Sequence, residues 1–207
     1  MALSYLALGD SYTIGEAVDV DGRWPHQLAA RLRAQGIALA DPHTIATTGW
    51  TTDELDAAID ADAPQGPFDF VSLLIGVNNQ YRGRALDEYQ AQFHSLLQRA
   101  IGFAGGRADR VLVLSFPDWG VTPFGAGSGR ALDRIHRETD AFNAAAAAVS
   151  AEQGVVFVDI TDISRDHAKD PMMIAEDGLH PSARMYALWA QRALPLAARL
   201  LMPQRQG

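Results

Sequence analysis

The 207-residue chain contains no cysteine, which removes disulfides, thiolate metal sites and thiol catalysis from consideration and leaves the redox compartment open. It also lacks any cluster of basic residues. Its 17 Lys and Arg stand against 25 Asp and Glu, giving a formal net charge of −8 and a pI near 5.1. A surface of that sign repels phosphate backbones and anionic lipid headgroups, so nucleic acid and membrane surfaces are disfavoured as partners. Asp, Gly, Arg or Gln interrupts every apolar run before it reaches the ~20 residues of a membrane span, so no stable membrane insertion is expected. The opening Met-Ala-Leu-Ser-Tyr-Leu-Ala-Leu has neither a basic leader nor a cleavage site, and a cytoplasmic location is expected from it. Internal repeats and linkers are missing too. His26, His43, His94, His136 and His167 show no HExxH or other paired ligand spacing, so no metal is expected, with His94 and His136 read as solvated or structural.

What is present fits one domain spanning residues 1–207, since a chain of this length with 48% hydrophobic residues can bury one substantial core. Predominantly apolar, non-alternating runs at 5–8, 68–75, 111–116 and 155–160, and a weaker one near 44–46, read as strands buried on both faces of a sheet. Helical periodicity lies between them. Trp24, Leu28 and Leu32 mark one helix, with Pro25 in its first turn; Leu55, Ala58 and Ile59 mark a second; Tyr89, Phe93, Leu96, Leu97 and Ala100 mark a third. A fourth runs over 131–151, and a fifth starts at Pro181 and should kink or end at Pro195, with fraying from Pro203. Alternation of strand and helix predicts right-handed crossovers and a parallel sheet inside a three-layer α/β/α sandwich. Segments 117–129 and 164–177, rich in turn residues, read as loops at the carboxyl edge of the sheet, where open α/β sheets bind ligands.

Four sites at strand ends or helix starts carry residues suited to chemistry. Gly9-Asp10-Ser11-Tyr12 places a hydroxyl at a strand-to-helix turn, where a serine on its own most simply caps a helix. Asp177-Gly178-Leu179-His180-Pro181 sets a carboxylate three residues before an imidazole, a spacing that lets the carboxylate take the Nδ1 proton and leaves Nε2 as a general base. Ser11, Asp177 and His180 together fill the three roles of a nucleophilic triad. Gly76-Val77-Asn78-Asn79 offers the amide of Asn78 as a neutral donor, and Gly49 offers a backbone N–H with no side chain in the way. In known hydrolases each such donor to a tetrahedral oxyanion is worth roughly 3 to 4 kcal/mol. Asp10, one residue along a tight turn from Ser11, should point away and bond backbone groups locally.

This set resembles the SGNH hydrolases, also called the GDSL esterase and lipase family. Its marks are a Ser in Gly-Asp-Ser, a lone Gly, an Asn in Gly-x-Asn and a His in Asp-x-x-His, found here in that chain order as Ser11, Gly49, Asn78 and His180, over Gly9 to Pro181. The resemblance implies a flavodoxin-like fold with five parallel strands ordered 2-1-3-4-5 and no cofactor. It makes Ser11 the nucleophile, His180 the acid/base and Asp177 its orienting partner, with the N–H of Ser11 and Gly49 and the Asn78 side chain as the oxyanion hole. Two positions depart from the commonest pattern: Tyr12 stands for Leu after the nucleophile, and Asn79 for an Asp after the oxyanion Asn. Neither touches a catalytic role, and both bear on the pocket.

Trp50, Tyr81, Trp119, Phe124, Met172 and Met173 lie near the motifs and are candidates for the walls of an acyl pocket, Trp50 first because it adjoins Gly49. The expected activity is hydrolysis of small carboxylic esters, short acyl or O-acetyl, through an acyl-Ser11 intermediate. Two alternatives use the same residues differently. One is a lysophospholipase or thioesterase acting on longer acyl chains. The other is a flavin or phosphate binder of the flavodoxin type, cradling an anion on the turn with Ser11 and Thr13, which leaves Asn78, Asp177 and His180 without work. A Gly-x-Ser-x-Gly elbow is absent, so the α/β-hydrolase class is not supported.

Overall fold

A computed structural model describes residues 2–202. The expected fraying from Pro203 lies outside them. The five strands are β1 (Tyr5–Gly9), β2 (His43–Ala46), β3 (Phe70–Leu74), β4 (Val111–Leu114) and β5 (Val156–Val158), and they form one sheet, all pairs parallel, ordered β2-β1-β3-β4-β5. The fold class and strand order are those expected. The three central strands β1, β3 and β4 are buried along their whole length, which is why their sequences show no polar alternation. The ladders are shorter than the apolar runs, because Phe68, Ile75 and Phe116 pack against or into the core beyond the last paired residue.

The larger helices are α2 (Trp24–Ala34), α3 (Thr52–Asp62), α5 (Leu86–Phe103), α7 (Leu132–Glu152) and α9 (Ala183–Leu201), with short α1 (Ser11–Ile14), α4 (Val77–Tyr81), α6 (Pro123–Gly127) and α8 (Thr161–Asp166). α2 packs on α9, while α5 packs on both α3 and α7. The chain winds one way from β1 to β2 and the other way from β2 to β3, so right-handed crossovers put these two groups on opposite sheet faces. Two expectations change. The segments read as loops hold short helical pieces, α6 in the first and the end of α8 plus a 3-10 turn over Pro171–Met173 in the second. The last helix begins at Ala183, capped by Ser182, and runs through Pro195. Its buried stripe of Met185, Trp189, Ala193, Ala197 and Leu201 continues past the proline, and that packing offsets the ~3 kcal/mol an interior proline costs.

Gly76 joins β3 to α4 at φ +132°, a conformation L side chains rarely adopt, and a Cβ there would lie 2.6 Å from the Tyr89 ring. The Tyr89 hydroxyl also donates to the Ile75 carbonyl. Gly76→Ala is therefore expected to cost at least about 2 kcal/mol by urea unfolding, from backbone strain and collision together. A loss under about 0.5 kcal/mol contradicts this account of the turn.

Candidate active site

Because β1 lies between β2 and β3, the turns after these three strands meet at one point of the carboxyl edge. They carry Ser11, Gly49 and Asn78, and all three line a single cavity of about 150 Å³ together with His180. Ser11 is the first residue of α1 rather than its cap. Asp10 takes the cap position, its Oδ1 accepting from the Tyr12 N–H at 3.0 Å, the local backbone bond expected of it.

His180 arrives from the other end of the chain. Its loop is closed by an antiparallel bridge between Ile174 and Pro181 and by the Ala175 N–H donating to the His180 carbonyl at 2.7 Å. Asp177 Oδ1 accepts from the N–H groups of Leu179 and His180, each at 2.9 Å, and Oδ2 lies 2.6 Å from His180 Nδ1. Burial taken alone raises the Asp177 carboxyl; the hydrogen bonds from the His180 ring and from the two backbone N–H groups outweigh it, holding the group below the ordinary carboxylate range. An ionised Asp177 demands the proton on Nδ1, so in the neutral imidazole the lone pair is on Nε2. The Tyr12 ring stands edge-on to the imidazole at 5.8 Å and to Trp189 at 6.0 Å, connecting the His180 loop to the core.

Asn78 donates through Nδ2 to the Trp50 carbonyl at 2.9 Å, and its second N–H has no partner among the described residues. Gly49 sits at φ +90°. The wall facing these donors is aromatic: Tyr81, Trp119 and Phe124 line the cavity with ring centroids 5.4 to 6.1 Å apart. Trp119 is fixed by donation from its Nε1 to Gln80 Oε1 at 2.7 Å. Its loop is anchored by fully buried Asp118, whose carboxylate accepts from the Gly120 N–H and Arg165 Nε, each at 2.9 Å, and pairs with His136 Nδ1. That gives His136 its structural place. A further bond, from the Phe124 N–H to the Gly178 carbonyl at 3.0 Å, ties the aromatic loop to the His180 loop.

Four expected wall positions fall elsewhere. The Trp50 side chain packs against the core and does not line the cavity; what it contributes is the carbonyl that Asn78 grips. Asn79 is fully buried and bonds Thr52, its Oδ1 accepting from the backbone N–H and its Nδ2 donating to the hydroxyl, because the residue after Asn78 on a helix points about 100° away. Met172 is exposed and Met173 buried, and neither reaches the cavity. Thr13, which a phosphate-binding turn would present to its ligand, is buried. Tyr12, read from sequence as bearing on the pocket, does line it, while the lining residues missed from sequence are Thr48, Val77 and Leu179, each adjacent to a motif residue and therefore inferable by neighbourhood. Among the described residues no cluster of three or more His, Asp or Glu side chains is arranged to hold a metal, and no helix is long and apolar enough to cross a membrane.

Residues 7–188 match the model of the GDSL-like Lipase/Acylhydrolase family. No curated protein sequence matches the chain. Solved structures similar to it include TesA, 22% identical with a TM-score of 0.73 over 95% of this chain and 99% of that one. Axe2, an acetylxylan esterase from Geobacillus stearothermophilus, is 21% identical with a TM-score of 0.73 over 98% and 97%. A lipase/acylhydrolase from Enterococcus faecalis is 20% identical with a TM-score of 0.69 over 99% and 100%. At these identities the structures share the fold.

Asp10 yields a pH test. Burial pushes its carboxyl from 3.8 up to about 7, with the Tyr12 N–H offsetting part of the rise. The folded protein therefore holds a proton the unfolded chain has lost, and the stability this contributes is full below about pH 4 and lost as pH climbs through about 7. Asp10→Asn keeps an acceptor for Tyr12 and cannot ionise. Its stability relative to wild type is expected to increase between about pH 4 and 8 in thermal melts, and a difference that stays constant across that range contradicts the assignment.

Proposed function

We propose that this chain, which belongs to the GDSL-like lipase/acylhydrolase family, is a serine esterase that hydrolyses small carboxylic esters through an acyl-Ser11 intermediate. The observation that carries the reading is the convergence of Ser11, Gly49, Asn78 and an Asp177-oriented His180 on one small cavity. His180 Nε2 takes the Ser11 Oγ proton as Oγ attacks the ester carbonyl. The resulting oxyanion lies against the N–H of Ser11, the N–H of Gly49 and the free N–H of Asn78. His180 then protonates the departing alkoxide, and a water activated by the same nitrogen releases the acid from Ser11. No cofactor takes part in this sequence.

Support for a short acyl group comes from size. A cavity of about 150 Å³, walled by Trp119, Tyr81 and Phe124, lies below the roughly 300–1,000 Å³ of sites that enclose drug-sized ligands. The acetyl group implied by Axe2's being an acetylxylan esterase is of a size consistent with that wall. Tyr81 and Phe124 are about two-fifths exposed, at 40% and 39%, and offer ring faces to an alcohol portion outside the cavity, as an O-acetylated sugar would need.

With p-nitrophenyl esters of increasing length, kcat/KM is expected to peak between two and four carbons. A peak at eight or more carbons overturns the short-chain reading in favour of a lysophospholipase or thioesterase. Ser11→Ala and His180→Ala are each expected to lower kcat by about 10⁴ or more with the fold retained, and Asp177→Asn by less, because hydroxyl and imidazole remain. Ser11→Ala activity within tenfold of wild type would sink the mechanism.

A further inference from the structure

Three of the side chains that hold the turn from Gly49 to Thr52 come from one short helix and the residue that follows it. Asn78 and Arg82 stand four residues apart and so share a face of α4. Asn78 grips the Trp50 carbonyl at 2.9 Å, and Arg82 Nη2 donates to the Gly49 carbonyl at 2.6 Å. Asn79, on the adjoining face, takes the Thr52 N–H at 3.1 Å. The Arg82 guanidinium is itself braced: Nη1 bonds Glu54 Oε1 at 3.0 Å, and Glu54 Oε2 accepts from the Thr51 N–H at 2.8 Å at the start of α3.

Among these anchored groups the Gly49 carbonyl stands apart. Gly49 has no side chain to limit rotation of the peptide planes on either side of it, and it is held at φ +90°. Among the described residues, Arg82 is the one hydrogen-bond partner of its carbonyl. Arg82 is not part of the cavity wall, so it does not meet a substrate bound there. Building on the esterase reading above, we propose that Arg82 is a positioning residue for the oxyanion hole. Its bond to the Gly49 carbonyl, braced by Glu54, fixes the 49–50 peptide and so restrains the backbone rotations about Gly49 that would swing its N–H away from the cavity. Asn78 and Arg82 thereby set two of the three donors of the hole from a common helix face, one by supplying its own N–H and the other by holding a backbone N–H in place.

A donor displaced by about 1 Å loses most of its effect on the transition state while ground-state binding is little changed. Arg82→Ala is therefore expected to lower kcat on p-nitrophenyl acetate by about tenfold to a hundredfold, with KM within threefold of wild type and the melting temperature showing a folded protein. Millimolar guanidinium ion, added back, is expected to recover several-fold of the lost kcat, while the same concentration of sodium chloride recovers none. Arg82→Lys, which retains a donor without the two-pronged grip on Gly49 and Glu54, is expected to fall between wild type and Arg82→Ala, and it carries the test if the alanine variant does not fold. The proposal is overturned if the folded variants keep kcat within twofold of wild type, if KM rises in step with the fall in kcat, or if guanidinium restores nothing. A wild-type protein whose ester hydrolysis does not depend on Ser11 defeats the esterase reading itself; an active, Ser11-dependent wild type with indifferent Arg82 variants defeats only this inference.

Discussion

The winding reversal at β1 is the constraint from which the site follows. A parallel sheet built in one direction would carry each successive turn away from the last. Here the chain goes from β1 out to β2 and back across to β3, so the segments after three neighbouring strands are forced together at one edge. Each delivers one group: a hydroxyl from Ser11, a backbone N–H from Gly49, an amide from Asn78. The core permits this because the central strands are buried along their whole length and almost wholly apolar, with the one polar side chain, Ser72, bonded to the Tyr5 hydroxyl, leaving the carboxyl edge as the place where polar groups can gather.

The second half of the site is supplied by a loop with little regular structure, and it is stiffened by hydrogen bonds. Asp177 organises its own turn through Leu179 and His180 before it orients the imidazole. Tyr12, adjacent to Ser11, packs on that imidazole and on Trp189, so Ser11 and His180 are coupled through one ring. The aromatic wall is held in the same manner. Buried Asp118 is compensated by Arg165, His136 and a backbone N–H, as a charge excluded from water must be. The cavity is therefore a product of preorganised loops on a rigid sheet, which is what stabilising a developing oxyanion requires.

Much of this was legible in the sequence, and the failures have specific causes. Strands were visible because both-face burial leaves continuous apolar runs, but apolarity does not mark where a ladder stops, so Ile75 and Phe116 were counted into strands they only follow. Pro195 suggested a break that tertiary packing of α9 overrode. Ser11, Asp177, His180, Gly49 and Asn78 could be picked out by motif and chain order. Neighbourhood along the chain was a poor guide to facing direction: Trp50 and Asn79 both adjoin groups of the site and both turn inward, since one step along a turn or helix redirects the side chain. Arg82 was invisible for the opposite reason. It acts on a backbone carbonyl 33 residues away, a contact that no composition, periodicity or motif encodes.

The most direct test of the central claim is the site of covalent capture by an alkyl fluorophosphonate, read by intact mass and peptide mapping. The account predicts one adduct per chain, on Ser11, formed by wild type and abolished in His180→Ala, where nothing remains to take the hydroxyl proton. Unmodified protein after prolonged exposure, or an adduct carried by another residue, contradicts it.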